Sequence, residues 1–300
     1  MDTNRLIEME KPFVDELCDK YNYDSNIRHL LYLIVPAFII KYGHNKERII
    51  HNTLKEVTIY KSNEQSKTVK GFFVAIPTIF NNKIEVKKHL VLNNYKSISL
   101  INLLETLIHE LNHAINSYNN PMKITNKYIY IRSGLTHFIY DKNTLKSIKK
   151  DNSYILEEII NTKQTDDVIN IIKEFDQNNT LISSTIFSIN GETPNIYISD
   201  SYYLEGYICK EIINNRTFYK TLENLRLSGE VYNVKNWFDD IYGRKGTYIE
   251  MINLLIEIIE LEKSLVNKKL FKQPIINKIK NKSRRVLNII DKFNENSNYV

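Results

Sequence analysis

Cysteine, glycine and proline are all scarce in this 300-residue chain, at two, eight and six residues. The two cysteines, Cys18 and Cys209, lie far apart, so there is neither a disulfide framework nor the close spacing of a zinc knuckle. A reducing compartment is the expectation. So little glycine and proline leaves no material for long flexible linkers. Long apolar runs are absent as well. The longest, Leu30 to Ile40, has 11 residues and contains Pro36, which is too short for a bilayer and reads as a buried helix. The stretch Met1 to Pro12 has neither the basic region nor the apolar core of a secretory signal, so the expected location is cytoplasmic. No internal repeat is seen.

What is present is ordinary globular composition. With 42% hydrophobic and 25% charged residues, the chain can bury a sizeable core as one large domain or two lobes. Net charge is +6, unevenly spread. Residues 263–285 hold nine basic side chains and no acid, which leaves the rest of the chain net acidic. Such a run reads first as a solvated helix face. The sharper reading is a patch for nucleic acid, an anionic surface or an acidic partner.

Apolar spacing predicts helices through the first 55 residues, at Phe13-Val14-Leu17, Ile27-Leu30-Leu31-Ile34 and Ile49-Ile50-Leu54. Residues 56–94 turn β-branched and aromatic. Val57 to Tyr60, Gly71 to Ile76 and Ile84 to Leu92 predict three strands, with Asn81-Asn82 as a turn. Ser97 to Tyr118 is the clearest helix, its apolar stripe running through Leu103, Leu104, Leu107, Ile108, Leu111 and Ile115. Tyr128 to Tyr140 suits a hairpin or bent strand broken at Ser133-Gly134. A further helix is expected from about Asn152-Ser153, and mostly helix beyond residue 200, with stops at Gly229, Gly243 and Gly246 and a break at Pro274.

Residues 109–113 read His-Glu-Leu-Asn-His. Histidines four apart on a helix stand one turn apart on one face, so both imidazoles can converge on one zinc ion. Glu110 then flanks the metal's water as a general base. The histidines lie off the apolar stripe, beside Glu105, Thr106, Asn116 and Ser117, so one helix face packs into a core and the other faces a polar cleft. Catalytic zinc needs a third protein ligand. One extended pattern puts a histidine six residues after the second and a glycine three after it. Asn119 and Asn116 stand there, which excludes that class.

His109-Glu110-Leu111-Asn112-His113-Ala114 resembles the active helix of the gluzincins, which include thermolysin-like peptidases and clostridial neurotoxin light chains. The chain also looks similar to uncharacterised bacterial proteins of this type. The resemblance covers roughly residues 84–165. It implies a third ligand glutamate on a later helix, and Leu156-Glu157-Glu158-Ile159-Ile160-Asn161-Thr162, 44 residues on, fits. Several gluzincins carry an acidic or amide residue just before the ligand, a register that makes Glu158 the ligand. A small residue usually follows it, whereas Ile159 stands here, so Glu157 stays open as the alternative. Taken alone, this pair reads as two surface carboxylates in a helix's first turn.

The resemblance also implies a C-terminal tyrosine, histidine or arginine holding the oxyanion. Tyr202, Tyr203, Tyr207, Arg216 and Tyr219 lie in the right stretch, and Arg216 and Tyr219 stand one turn apart. His89 and His137 read as structural histidines, with His137 the next ligand candidate after the two glutamates. The expected fold is α+β, mainly helical and zincin-like. It has an N-terminal helical region (1–55), a zinc metallopeptidase core (56–175) whose small sheet packs on the His-Glu helix, and a helical C-terminal lobe with a basic end (176–300). The strand His89 to Asn93 is expected at the sheet edge, where it could align an extended peptide. The expected function is zinc-dependent peptide hydrolysis. A binding module acting through the basic C-terminal helices, with a structural zinc site, is the rival.

Overall fold

The computed structural model describes residues 3–63, 70–177, 207–229, 231–267 and 272–297. By contacts the chain divides into two interleaved units, Met1–Asn120 with Asn161–Tyr197 and Pro121–Ile160 with Ile198–Val300, where the sequence reading runs in three consecutive segments. The fold is α+β and mainly helical, with two small sheets. No described helix is long and apolar enough to cross a membrane.

The first unit opens with α1 (Thr3–Tyr21), α2 (Ser25–Tyr42) and α3 (Glu47–Glu56). The apolar run found in the sequence lies inside α2, where Leu30, Leu31, Leu33 to Ile39 are all buried. Asp24 starts this helix by accepting from the Ile27 N–H, and Gly43 closes it at φ 94°, a conformation glycine adopts without strain. Strands β1 (Val57–Lys61), β2 (Gly71–Phe80) and β3 (Lys83–Leu92) follow. Asn81 and Asn82 both take positive φ (48° and 61°), the tight two-residue link that Asn tolerates best, and this sets β2 antiparallel to β3. β1 pairs with the other side of β3 in parallel, giving the order β1-β3-β2.

That order corrects one expectation. His89 lies in the middle strand, opposite Thr58 on one side and Val74 on the other. A strand paired on both sides has no free backbone for a peptide. Alternation of side chains locates a strand but does not rank it as edge or centre.

β2 and β3 pack on α4 (Leu100–Ile115). This helix starts later than residue 97 because Ser99 caps it, accepting from the Asn102 N–H at 3.3 Å. Its stripe residues are no more than 2% exposed. The later part of α5 (Tyr154–Gln177) belongs to the same unit.

In the second unit, β4 (Lys123–Ile124), β5 (Tyr128–Ser133), β6 (Thr136–Asp141) and β7 (Ser147–Lys150) form an antiparallel sheet in chain order. Gly134, at φ 54°, sits in the β5–β6 turn. The helices are α6 (Tyr207–Asn214), α7 (Arg216–Ser228), α8 (Val231–Tyr242), α9 (Thr247–Asn267) and α10 (Lys272–Ser297). Gly229 ends α7 with a left-handed residue, and Pro274 falls in the first turn of α10, where a missing N–H costs nothing. In this unit's core Phe238 stacks on Phe293, and Phe218 meets both rings edge to face. Cys18 and Cys209 are free and buried, and burial pushes their thiols up to about 11 and about 12.

Candidate metal centre

Most of the polar face of α4 is buried as well, although His109 is partly exposed. Glu105, Thr106, Glu110 and His113 are 6–8% exposed, and Asn112, Asn116 and Ser117 are fully buried. Each therefore needs a partner inside the protein. Tyr42 of α2 donates to the Asn112 side-chain carbonyl at 2.8 Å and accepts from the Asn116 amide at 3.0 Å. Gln164 of α5 accepts from Tyr42 at 3.3 Å, and Asn112 donates to Thr165 at 3.4 Å. The motif helix is thus locked to α2 and α5 by a buried hydrogen-bond network.

His109 and His113 stand with ring centroids 5.0 Å apart. The Ser117 hydroxyl donates to the His113 carbonyl at 2.5 Å, and the Asn161 amide of α5 donates to the His109 carbonyl at 2.9 Å. Three residues before Asn161 on the same unbroken helix lies Glu158. One ligand atom from each of His109, His113 and Glu158 lies within 4.8 Å of the others. His113 is buried, and His109 and Glu158 are partly exposed. Two imidazole nitrogens and one carboxylate oxygen are the donor set of a catalytic zinc site with a fourth position open to water, so the residues present fit that ion.

Glu157 is used elsewhere. It is 1% exposed and accepts from Arg226 of α7 at Nε (2.8 Å) and Nη2 (2.5 Å), and from the Leu135 N–H at 2.7 Å. Adjacent helical residues point about 100° apart, so one carboxylate meets the histidines and its neighbour meets the arginine. A Cβ on Gly134 would fall about 2 Å from the Glu157 carboxylate, so glycine is required there twice, for its φ and for this approach.

Gly71 brings the sheet to the motif. A Cβ there would meet Thr106 Cγ2 at 2.6 Å and Glu110 Cγ at 3.6 Å, so the bare backbone of β2 lies directly against the α4 turn that carries Glu110. One turn before His109, burial raises the Glu105 carboxyl to about 7, with Lys70 opposing and Asp166 reinforcing the shift. Burial likewise raises Asp166 to about 6.

None of the other described sequence candidates belongs to this three-residue ligand group. Arg216 is exposed at the start of α7, while Tyr219 is 5% exposed in the second unit's core with its hydroxyl 3.4 Å from Glu223. One helical turn separates them, yet they face opposite environments and do not form a surface pair. Tyr202 and Tyr203 lie outside the described residues, as does the side chain of Tyr207. His137 pairs with Asp151 through Nδ1 at 3.3 Å. Burial alone would raise Asp151, but the His137 hydrogen bond and charge hold it below the usual carboxylate range. Burial lowers His89. In the basic segment, Lys282 pairs with Glu257 and Arg285 with Glu250, both acids of α9, so part of its charge is neutralised internally.

Sequence reasoning missed Tyr42, Gln164, Thr165 and Arg226, which hold the group's two helices. Gln164 and Thr165 lie in the polar run Asn161 to Asp167 and Tyr42 between Lys41 and Gly43, so no local pattern marks them. Comparison with protein-family models, with curated proteins and with solved structures finds no match to this chain.

Proposed function

We propose that this chain is a zinc-dependent peptidase of gluzincin type, with His109, His113 and Glu158 as ligands and Glu110 as general base. The convergence of those three side chains within 4.8 Å, with Glu110 on the same helix, carries the reading. Zinc, when bound, lowers the pKa of its water and polarises the scissile carbonyl. Glu110 takes the proton from the attacking water and passes it to the leaving amine. The buried network through Tyr42, Asn112 and Gln164 supports this role by keeping α4 and α5 in register. An extended peptide would pair with β2, one of the two outer strands, whose Gly71 lies against the Glu110 turn.

The test combines metal analysis with one isosteric change. The purified chain should hold zinc at this group and cleave an unfolded substrate such as casein, and a chelator should stop it. Glu110→Gln should keep the metal and lose hydrolysis, because an amide cannot accept the water's proton. Undiminished cleavage by Glu110→Gln would remove Glu110 from its role. A wild type that stays folded and takes up no zinc would overturn the proposal.

A further inference from the structure

A second set of ligand-type side chains lies in the N-terminal helices. Glu10 of α1 and Glu47 and His51 of α3 each offer one ligand atom within 4.8 Å of the others. Glu47 and His51 are four apart on α3, so they project from one face, and Glu10 reaches them from the neighbouring helix. His51 Nε2 lies 2.7 Å from Glu10 Oε2, and its ring stacks on Phe13 at 3.9 Å between centroids, which fixes the imidazole plane.

The charges in this group do not balance. The Glu10 side chain is 6% exposed. Among the described residues its one hydrogen-bond or ion-pair partner is His51, at 2.7 Å. Glu47 has no hydrogen-bond or ion-pair partner among the described residues. Two lysines of these helices are engaged outside the group, Lys11 with Glu8 and Lys55 with Glu16. Two carboxylates, one of them buried, thus share one imidazole within 4.8 Å. A buried carboxylate is costly without a cation, and a second carboxylate at this range raises the cost.

We propose that Glu10, Glu47 and His51 bind a divalent first-row transition ion that ties α1 to α3. Two carboxylate oxygens and one imidazole nitrogen suit zinc or manganese, and remaining positions would be filled by water. No residue of the group belongs to the His109 centre, so the two ideas stand or fall separately.

Zinc and manganese are the probes. The full-length His109→Ala/His113→Ala variant, lacking the first centre, should still retain about one ion per chain after dialysis, and its thermal midpoint should rise by at least about 2 °C with the ion. Adding Glu47→Gln should weaken this binding at least about tenfold. Glu47 is the right position because its side chain makes no hydrogen bond or ion pair among the described residues and is partly exposed. If the double variant does not fold, the same question goes to the wild type, where Glu47→Gln should lower the metal content by one. Binding that survives Glu47→Gln would mark loose surface association and overturn the proposal. So would the absence of bound metal, with the His51 ring seen by NMR to carry a proton at pH 7.

Discussion

His109, His113 and Glu158 form one group, and Glu10, Glu47 and His51 the other. Both take two side chains at i and i+4 from one helix and a third from another helix. They differ in charge and in support. The first has two imidazoles and one carboxylate, and its motif helix is held by a buried amide and hydroxyl network. The second has two carboxylates and one ring, and a single stacked aromatic holds it. A nitrogen-rich, framed set is suited to keep a zinc ion with an open position for chemistry. An oxygen-rich, lightly framed set is suited to a structural ion. The same helical spacing therefore serves two kinds of centre, and the surrounding residues set the difference.

The largest effect expected is on metal. His113→Ala should weaken zinc at the first group by at least about 100-fold and leave the second group's ion in place, read as metal per chain after dialysis. Loss of both ions would show that the two groups are not independent.

Next come the adjacent glutamates. Glu157→Ala leaves Arg226, fully buried, without its carboxylate, and should cost about 3–5 kcal/mol in chemical denaturation. Glu158→Ala should cost less than about 1 kcal/mol in the absence of metal, yet remove zinc binding. The reverse pattern would mean that the ligand is Glu157.

Glu105 gives a smaller, pH-dependent effect. Its folded carboxyl titrates near 7 and its ordinary value is 4.5, so below about pH 4.5 it is protonated in both states and affects nothing. As pH rises towards 7 the unfolded chain ionises first, and wild type loses stability. Glu105→Gln removes that loss, so the variant should be more stable above pH 7 by about 1–3 kcal/mol and equal to wild type at pH 4. A constant difference at all pH values would contradict the burial argument. Smallest of all, Glu47→Gln without metal should change stability by less than about 0.5 kcal/mol. A larger loss would reveal a fold role for Glu47 and blur its contrast with Glu157.

Much of this was readable along the chain because it is local. The stripe of α4, the Asn81-Asn82 turn and the stop at Gly229 each depend on residues within a few positions of one another. The first histidine pair was readable for the same reason, since four residues on a helix are one turn. Two later features were not. β1 joins β3 from the far side through a parallel pairing, which made His89 central, and no local pattern encodes that choice. Glu47 and His51 have the same i, i+4 spacing as the zinc histidines, but without Glu10, 37 positions earlier, they are one more polar pair on an exposed helix face.

By itself the sequence determined most of the helices, the strands β1 to β3, β5 and β6, the absence of a disulfide framework, and the His109-Glu110-His113 face, because periodicity, turn chemistry and side-chain type are properties of short segments; the short strands β4 and β7 carried no such signal. The tertiary structure alone decided which of two adjacent glutamates turns to the histidines and which to Arg226. Both carboxylates have the same chemistry and nearly the same position in the chain. What separates them is a 100° rotation about α5 and the partner waiting on each side, and partners brought from 45 and 69 residues away are fixed only when the chain has packed.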